Sequence, residues 1–490
     1  MKYQIKTIKD EQAYHHTGIM ILIKAIKDIY NNPEVVVGNS LNQGFFVYFQ
    51  KKDGTKIDRG DVQKIRKKMK NYVRLDLPIK YEWVKCSEAV EIWKKQGFDE
   101  KAKLFEGGDP DNLVIIYSLD GYKDYFYSDM LPSTGYYELF ELRPYKSGML
   151  LRNPTMLHPD KCQEYRDDDK LYEAFATSKH LRKSYSLDYI GDLNALSDDE
   201  KREIIRLSEE GQAKEIDGIA EKAVREGRRL VLIAGPSSSG KTTFAKKLCA
   251  GIEKHSGVAP LYLGTDDYFL NRADTPLGPD GEPNFEGLEA LDLELFNQQM
   301  TDLLAGKDVD IPEFDFMQGV KVFGKRITKL TANQIIVMEG IHSLNDDLTK
   351  QVPLDEKFKI YISPLTRIAI DAHNRISTCD ARLFRRMVRD NQFRGRDATQ
   401  TIRDWPKVRA GENGNIFPYS SMADVVFNSS LPYETSLLKH YAVPLLAKIQ
   451  EDEPEYEEAK RLLEFTNCFR EIDMIDAVPQ DSILREFIGK

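Results

Sequence analysis

Apolar residues recur at helical spacing twice near the start of the chain. Ile19, Leu22, Ile23, Ile26 and Tyr30 form one stripe; Val62, Ile65, Met69 and Tyr72 form another, with Lys and Arg on the outer face. Between them Phe45–Phe49 predicts a strand, and Asp53-Gly54 predicts a hairpin turn. Leu113–Tyr117, Tyr122–Tyr127 and Glu138–Leu142 predict further aromatic-rich strands, so residues 1–154 read as an α+β module. Residues 155–228 are rich in charge and read as a helical connector, with a helix over Glu215–Glu226 that Gly227 can end. From 229 to 450 the pattern becomes α/β. Apolar runs at Leu230–Ala234, Leu261–Leu263, Ile335–Met338 and Phe358–Ile362 alternate with helices, which predicts a mostly parallel sheet flanked by helices. Residues 451–490 read as an acidic helical tail.

Composition narrows the function classes. Hydrophobic residues make up 41% and charged residues 30%, enough for a core and against wholesale disorder. Lys+Arg is 70 against Asp+Glu 79, a net charge of -9, which counts against coating nucleic acid or anionic membrane by bulk charge. The 5 Cys lie far apart without a CxxC, so neither a disulfide framework nor a zinc ribbon is expected. No apolar run approaches the ~20 residues a spanning helix needs. A soluble, cytoplasmic protein is expected.

Gly235-Pro-Ser-Ser-Ser-Gly-Lys-Thr242 matches GxxxxGK[ST] after a strand and before a helix, the context of a P-loop. Glycines let backbone N–H groups converge on phosphate oxygens, and the helix start adds free donors. Gly235, Ser237, Ser238, Ser239, Gly240, Lys241, Thr242 and Thr243 are therefore the expected ATP cradle. Lys241 is expected to bridge the terminal phosphates, and Thr242 to ligate Mg²⁺. Glu339, ending the strand Ile335–Met338, is the second expected Mg²⁺-holding residue.

Asp266-Asp267 follows the strand at 261–263, where a carboxylate could accept the proton of an attacking hydroxyl; spacing does not choose between the two. The loop Asn271–Leu288 has the Gly/Pro/Asp content of a flap. Phe314-Asp315-Phe316 could stack a base and bond a sugar hydroxyl, or be a strand with inward aromatics. Arg382, Arg385, Arg386 and Arg389 share one helical face and Arg394-Gly395-Arg396 follows, which predicts a basic lid over ATP.

Taken together, residues 229–446 resemble the uridine kinase–phosphoribulokinase family of P-loop kinases. The motifs are GPSSSGKTTF, DDYF, NFEGLEALD, IPEFDF, VMEGIHSL and RRMVRDNQFRGRD. The resemblance implies a P-loop NTPase domain and puts Asp266 at the catalytic-base position. It puts Glu286 where a ribose-binding Asp is usual, and Phe314, Asp315 and Phe316 in the base-contacting segment. Arg386 and Arg396 fall on the substrate side of the lid, and Arg389 and Arg394 on the phosphate side, so Lys241, Asp266, Arg389 and Arg394 form the expected catalytic set. Phe314 and Gly319 replace the usual pyrimidine-contacting Tyr and His.

Residues 15–154, with YHHTGIMIL and DMLPSTG, resemble the editing-type second additional domain of threonyl-tRNA synthetase and its alanyl relatives. The HxxxH and CxxxH metal positions of that family read here His16, Met20, Phe126 and Met130, so one metal ligand remains and the hydrolytic site is expected to be lost. The pairing of the two resemblances is itself similar to a bacterial group of uridine kinase-related nucleoside kinases.

The leading expectation is an ATP- and Mg²⁺-dependent nucleoside kinase acting on a 5′-hydroxyl of a small-molecule substrate. Alternatives are a kinase of another hydroxylated metabolite, such as a sugar phosphate or small acid, and an ATP-dependent RNA-binding or regulatory module supported only by the basic helix Lys64–Lys70. No membrane partner is expected, a nucleic-acid partner is disfavoured, and homo-oligomer formation stays open.

Overall fold

The computed structural model describes residues 2–489 apart from 42, 107, 168, 176–186, 279, 280 and 282. The N-terminal region is built around α1 (Ile8–Tyr30), which Thr7 and Asp10 start with a capping box and which is buried along most of its length. Such burial follows from Ile19–Ile26, which is apolar on nearly every side. Against α1 lie the amphipathic α2 (Arg59–Leu75) and two antiparallel sheets. One sheet has the order β1-β2-β7-β6, with β1 Val35–Leu41, β2 Gly44–Phe49, β6 Glu141–Tyr145 and β7 Gly148–Arg152. The other has the order β3-β4-β5, with β3 Ile79–Lys85, β4 Leu113–Leu119 and β5 Tyr122–Asp124. The helices α3 (Cys86–Gln96) and α4 (Asp99–Phe105) join β3 to β4.

The sequence misplaced one hairpin. Asp53-Gly54 does form a turn, with Gly54 at φ 72, but it leads into α2; the strand that pairs with β2 is β1, on its other side. β5 stops at Asp124, short of Tyr127, because Tyr125–Tyr127 turn into the core instead of continuing the ladder.

The stretch read as a connector is partly a layer of the C-terminal fold. Helix α5 (Ile190–Ala195) precedes α6 (Asp198–Arg225), 28 residues opened by the Ser197–Glu200 capping box and far longer than the segment 215–226. Ile216, Ile219, Ala220 and Ala223 of α6 are buried in the same core as the central sheet. A Cβ at Gly251 would lie 2.7 Å from the Ala220 Cβ, which shows how closely α6 packs on the helix after the P-loop.

That central sheet is five-stranded and wholly parallel, in the order β16-β15-β8-β14-β9. Its strands are β8 Leu230–Ala234, β9 Leu261–Gly264, β14 Ile336–Glu339, β15 Lys357–Ser363 and β16 Val425–Asn428. Every residue of β8 is buried, as a central strand covered on both faces requires. Helices α7 (Lys241–Ser256) and α8 (Leu293–Leu304) precede the small hairpins β10 (Val309–Asp310) with β13 (Ile327–Thr328) and β11 (Glu313–Asp315) with β12 (Val320–Val322). Then come α9 (Thr378–Arg394), α10 (Ala398–Asn415), α11 (Glu434–Leu446), α12 (Tyr456–Thr466) and the last turn α13 (Arg485–Ile488).

The two regions are cemented by buried charge. Lys101 Nζ, fully buried on α4, lies 2.9 Å from both Asp124 Oδ1 and Asp371 Oδ1, and His373 Nδ1 lies 2.7 Å from Asp124 Oδ2. The opposing charges and hydrogen bonds outweigh burial and hold the Asp124 carboxyl far below its usual range. Asp380, at the start of α9, is held by Arg461 of α12 (2.9 Å) and by Gln12 of α1 (3.3 Å). Among the described residues no helix is long and apolar enough to cross a membrane.

Candidate active site

Strand β8 delivers the chain to Gly235, where a Cβ would lie 2.1 Å from Ile362 O, so only glycine fits beside β15. Ser238 (φ 59) and Gly240 (φ 87) are both left-handed, and α7 starts at Lys241 with Gly240 as its N-cap. Alternating backbone of this kind turns successive N–H groups toward one point. The loop's carbonyls are held from the scaffold side. Arg385 Nη1 donates to Ser238 O and Ser239 O (3.4 Å each), Ser429 Oγ donates to Ser239 O (2.6 Å), and Arg382 Nη1 donates to Ser237 O (3.2 Å). Lys241 Nζ rests on its own loop, donating to Gly235 O (2.9 Å) and Pro236 O (3.2 Å).

At the mouth of the loop Thr242 Oγ1 donates to Glu339 Oε1 (2.8 Å), and Tyr262 OH donates to the same oxygen (2.6 Å). The β14 register explains the meeting, since Glu339 ends a strand lying between β8 and β9. A hydroxyl and a carboxylate side by side are hard oxygen donors of the kind Mg²⁺ takes, so these residues fit that ion. Tyr262 gave no sequence signal, because a tyrosine in a four-residue strand has no spacing rule; only pairing with β14 brings it to Glu339.

Asp266 and Asp267 sit in the short helical turn after β9 and part ways. Asp267 is occupied: Oδ2 accepts from Arg326 Nη1 (2.8 Å) and Oδ1 from Phe314 N (3.4 Å). Asp266 is exposed. The surrounding protein, and after it the Glu339 charge, push its carboxyl above the usual range, while Lys241 pulls it down. Glu286 is likewise raised, by burial and then by Glu412, against the fields of Arg386 and Lys241. Asp266, Glu286, Glu339, Lys241 and Arg386 thus share one electrostatic neighbourhood.

The triad 314–316 divides. Phe314 is buried on β11, 5.7 Å from the Phe269 ring; Phe316 is 59% exposed; and Asp315 Oδ1 caps the following turn by accepting from Met317 N and Gln318 N. This is closer to the strand-with-aromatics alternative than to a three-residue base clamp. Gly319 (φ 72) faces Arg272, whose Cβ would lie 2.8 Å from a Cβ at that position, and Arg272 Nη2 donates to Phe316 O (2.8 Å). Of the flap 271–288, residues 279, 280 and 282 lie outside the described residues.

The arginine stripe also divides. Arg382 and Arg385 are buried braces, paired with Glu412 (Nη2–Oε2 2.8 Å) and Glu434 (2.6 Å), rather than members of an open clamp. Arg386 Nη1 donates to Ser237 Oγ (2.8 Å). The buried Asp390 gathers Arg386 (3.3 Å), Arg389 (2.8 Å) and Arg394 (3.5 Å), while Arg396 pairs with Asp404. Two acids not foreseen from the sequence reach the cradle. Glu412 Oε1 accepts from Ser237 N (2.8 Å), and Glu486 Oε2 accepts from Thr243 N (3.2 Å) and Oγ1 (3.0 Å).

The N-terminal histidine corner is filled. His16 Nδ1 bonds Ser128 Oγ (2.5 Å), its ring lies 5.3 Å from Phe126 and 4.9 Å from Tyr127, and burial pushes it down to about 3. Met20 is fully buried, and Met130 Sδ accepts from Thr17 Oγ1 at 3.9 Å. His15 packs on Phe45 and bonds Pro154 O (3.1 Å). Among the described residues no group of three or more His, Cys, Asp or Glu could hold a metal ion.

A glycine-rich loop between a buried parallel strand and a helix, with a carboxylate at the neighbouring strand end, defines the C-terminal part as a P-loop α/β domain. The model of the Phosphoribulokinase / Uridine kinase family matches residues 230–436 of that part. A uridine kinase from Deinococcus deserti is 28% identical over 195 residues, 40% of this chain and 84% of the relative. A threonine–tRNA ligase from Francisella tularensis is 31% identical over 139 residues, 28% of this chain and 22% of the ligase, in keeping with the editing-like reading of the N-terminal region. A solved structure described as a possible uridine kinase from Bacillus stearothermophilus aligns with TM-score 0.30 at 18% identity, over 44% of this chain and 98% of that one.

Proposed function

We propose that the protein is an ATP-dependent phosphotransferase with an alcohol acceptor, acting on the 5′-hydroxyl of a nucleoside. The observation that carries this reading is the meeting of Thr242 and Glu339 at the mouth of the glycine-rich loop, with Asp266 within reach of the charges of Glu339 and Lys241. Lys241 leaves its two loop carbonyls and neutralises charge on the terminal phosphates. Thr242 and Glu339 would hold Mg²⁺, which when bound would supply charge neutralisation. Asp266, with its raised carboxyl, orients the acceptor hydroxyl and takes its proton as the new P–O bond forms and the bridging bond to ADP breaks. Arg386, Arg389 and Arg394, which pair with Asp390, stabilise the migrating charge, and Glu286 bonds acceptor hydroxyls.

A second reading, a hydroxylated acid or sugar phosphate as acceptor, is favoured by Arg272, which takes the space at Gly319. Mixing the protein with ATP, Mg²⁺ and a panel of nucleosides, sugar phosphates and hydroxy acids decides between them by acceptor-dependent ADP. Release with nucleosides alone supports the first reading, and release with anionic acceptors alone removes it. Activity that survives both Lys241→Ala and Asp266→Ala removes the site assignment.

A further inference from the structure

Of the two acids on the cradle, Glu412 is neutralised where it stands by its ion pair with buried Arg382. Glu486 has no ion pair of its own among the described residues; Arg394, at the end of α9, is a cation whose charge it feels. It sits on Thr243, whose N–H is a donor the helix leaves free, because the first bond within α7 runs from Phe244 N to Gly240 O (3.0 Å). Free first-turn donors at the positive end of a helix are what an anionic ligand uses, and here a carboxylate of the chain already uses them.

The backbone that carries Glu486 is fixed. Ile483, Leu484 and Phe487 are buried in the main core, and Ile483 Cγ2 would lie 2.4 Å from a Cβ at Gly240. Lys247 Nζ holds Asp481 at 2.7 Å, and Arg485 ties the tail's carbonyls together. What is left to move is the half-buried Glu486 side chain. We propose that Glu486 is a built-in anion standing in part of the nucleotide's phosphate site. A triphosphate settles on the cradle as this carboxylate rotates off Thr243, and the carboxylate returns as nucleotide leaves, so the last turn of the chain sets nucleotide affinity. This rests on reading residues 235–243 as the phosphate cradle.

The test is calorimetric titration of the full chain with MgATP and with MgADP, for wild type, Glu486→Gln and Glu486→Ala. Glutamine keeps the size and an acceptor oxygen but not the charge, so it remains informative if alanine disturbs the fold. The expected result is binding on the order of tenfold tighter in the variants, with alanine at least as tight as glutamine. Wild-type binding with equal or weaker binding by both variants overturns the proposal and leaves the cradle standing. No binding of either nucleotide by any of the three proteins overturns the cradle reading and the proposal with it.

Discussion

The glycine-rich loop at 235–242 and the histidine corner around His16 differ in what their polar groups still have to give. In the loop, carbonyls are tied to buried arginines, while Lys241 rests on two of its own carbonyls and Thr242 and Glu339 meet at the mouth. In the corner, His16 is spent on Ser128 and wedged between two aromatic rings, with methionines where the resembling family places metal ligands. A ligand site must keep donors and charges that only a ligand can satisfy; once packing satisfies them, the same kind of residue is core.

The sharpest break of this comparison is in the loop. Lys241→Ala is expected to lower kcat on the order of 10³-fold, and Asp266→Asn 10²- to 10⁴-fold by order of magnitude, measured as acceptor-dependent ADP release. Melting temperatures near wild type would place both losses in chemistry. Next is the join between the regions. Lys101→Met strands Asp124 and Asp371 without their buried cation, and should cost about 3–5 kcal/mol in denaturant unfolding. A loss below ~1 kcal/mol would mean water or His373 already compensates.

A smaller effect concerns pH. Asp266 must be ionised to accept a proton and its carboxyl is raised, so activity should fall as pH drops through a value above the ordinary ~4 of an aspartate. A rate that stays flat to pH ~4 would remove Asp266 as the base. The smallest effect is in the corner. His16→Phe keeps an aromatic ring in an aromatic pocket and should change stability by less than ~1.5 kcal/mol, with no zinc retained by either protein after dialysis. Stoichiometric zinc in the wild type would reverse the reading of the corner.

Local chemistry made much of this legible. The P-loop, its flanking strand and the helix after it follow from residues adjacent in sequence, because glycine placement and helix starts are local properties. The two N-terminal helices followed from their stripes for the same reason. The hairpin partner of β2 did not, since a turn such as Asp53-Gly54 does not by itself say whether a strand follows it; here α2 follows, and β2 pairs with β1 and β7.

What the sequence determined by itself was the glycine-rich loop at 235–242 between strand and helix, the parallel α/β class and the absence of His or Cys at positions 20, 126 and 130. Tertiary structure alone decided which aspartate is spent on Arg326, which arginines brace the loop and which gather on Asp390, and that Tyr262 meets Glu339 while Glu412 and Glu486 reach the loop and the helix start. The physical reason is separation along the chain. Glu486 is 243 residues from the Thr243 it touches, and contacts of that kind are fixed by how whole layers pack.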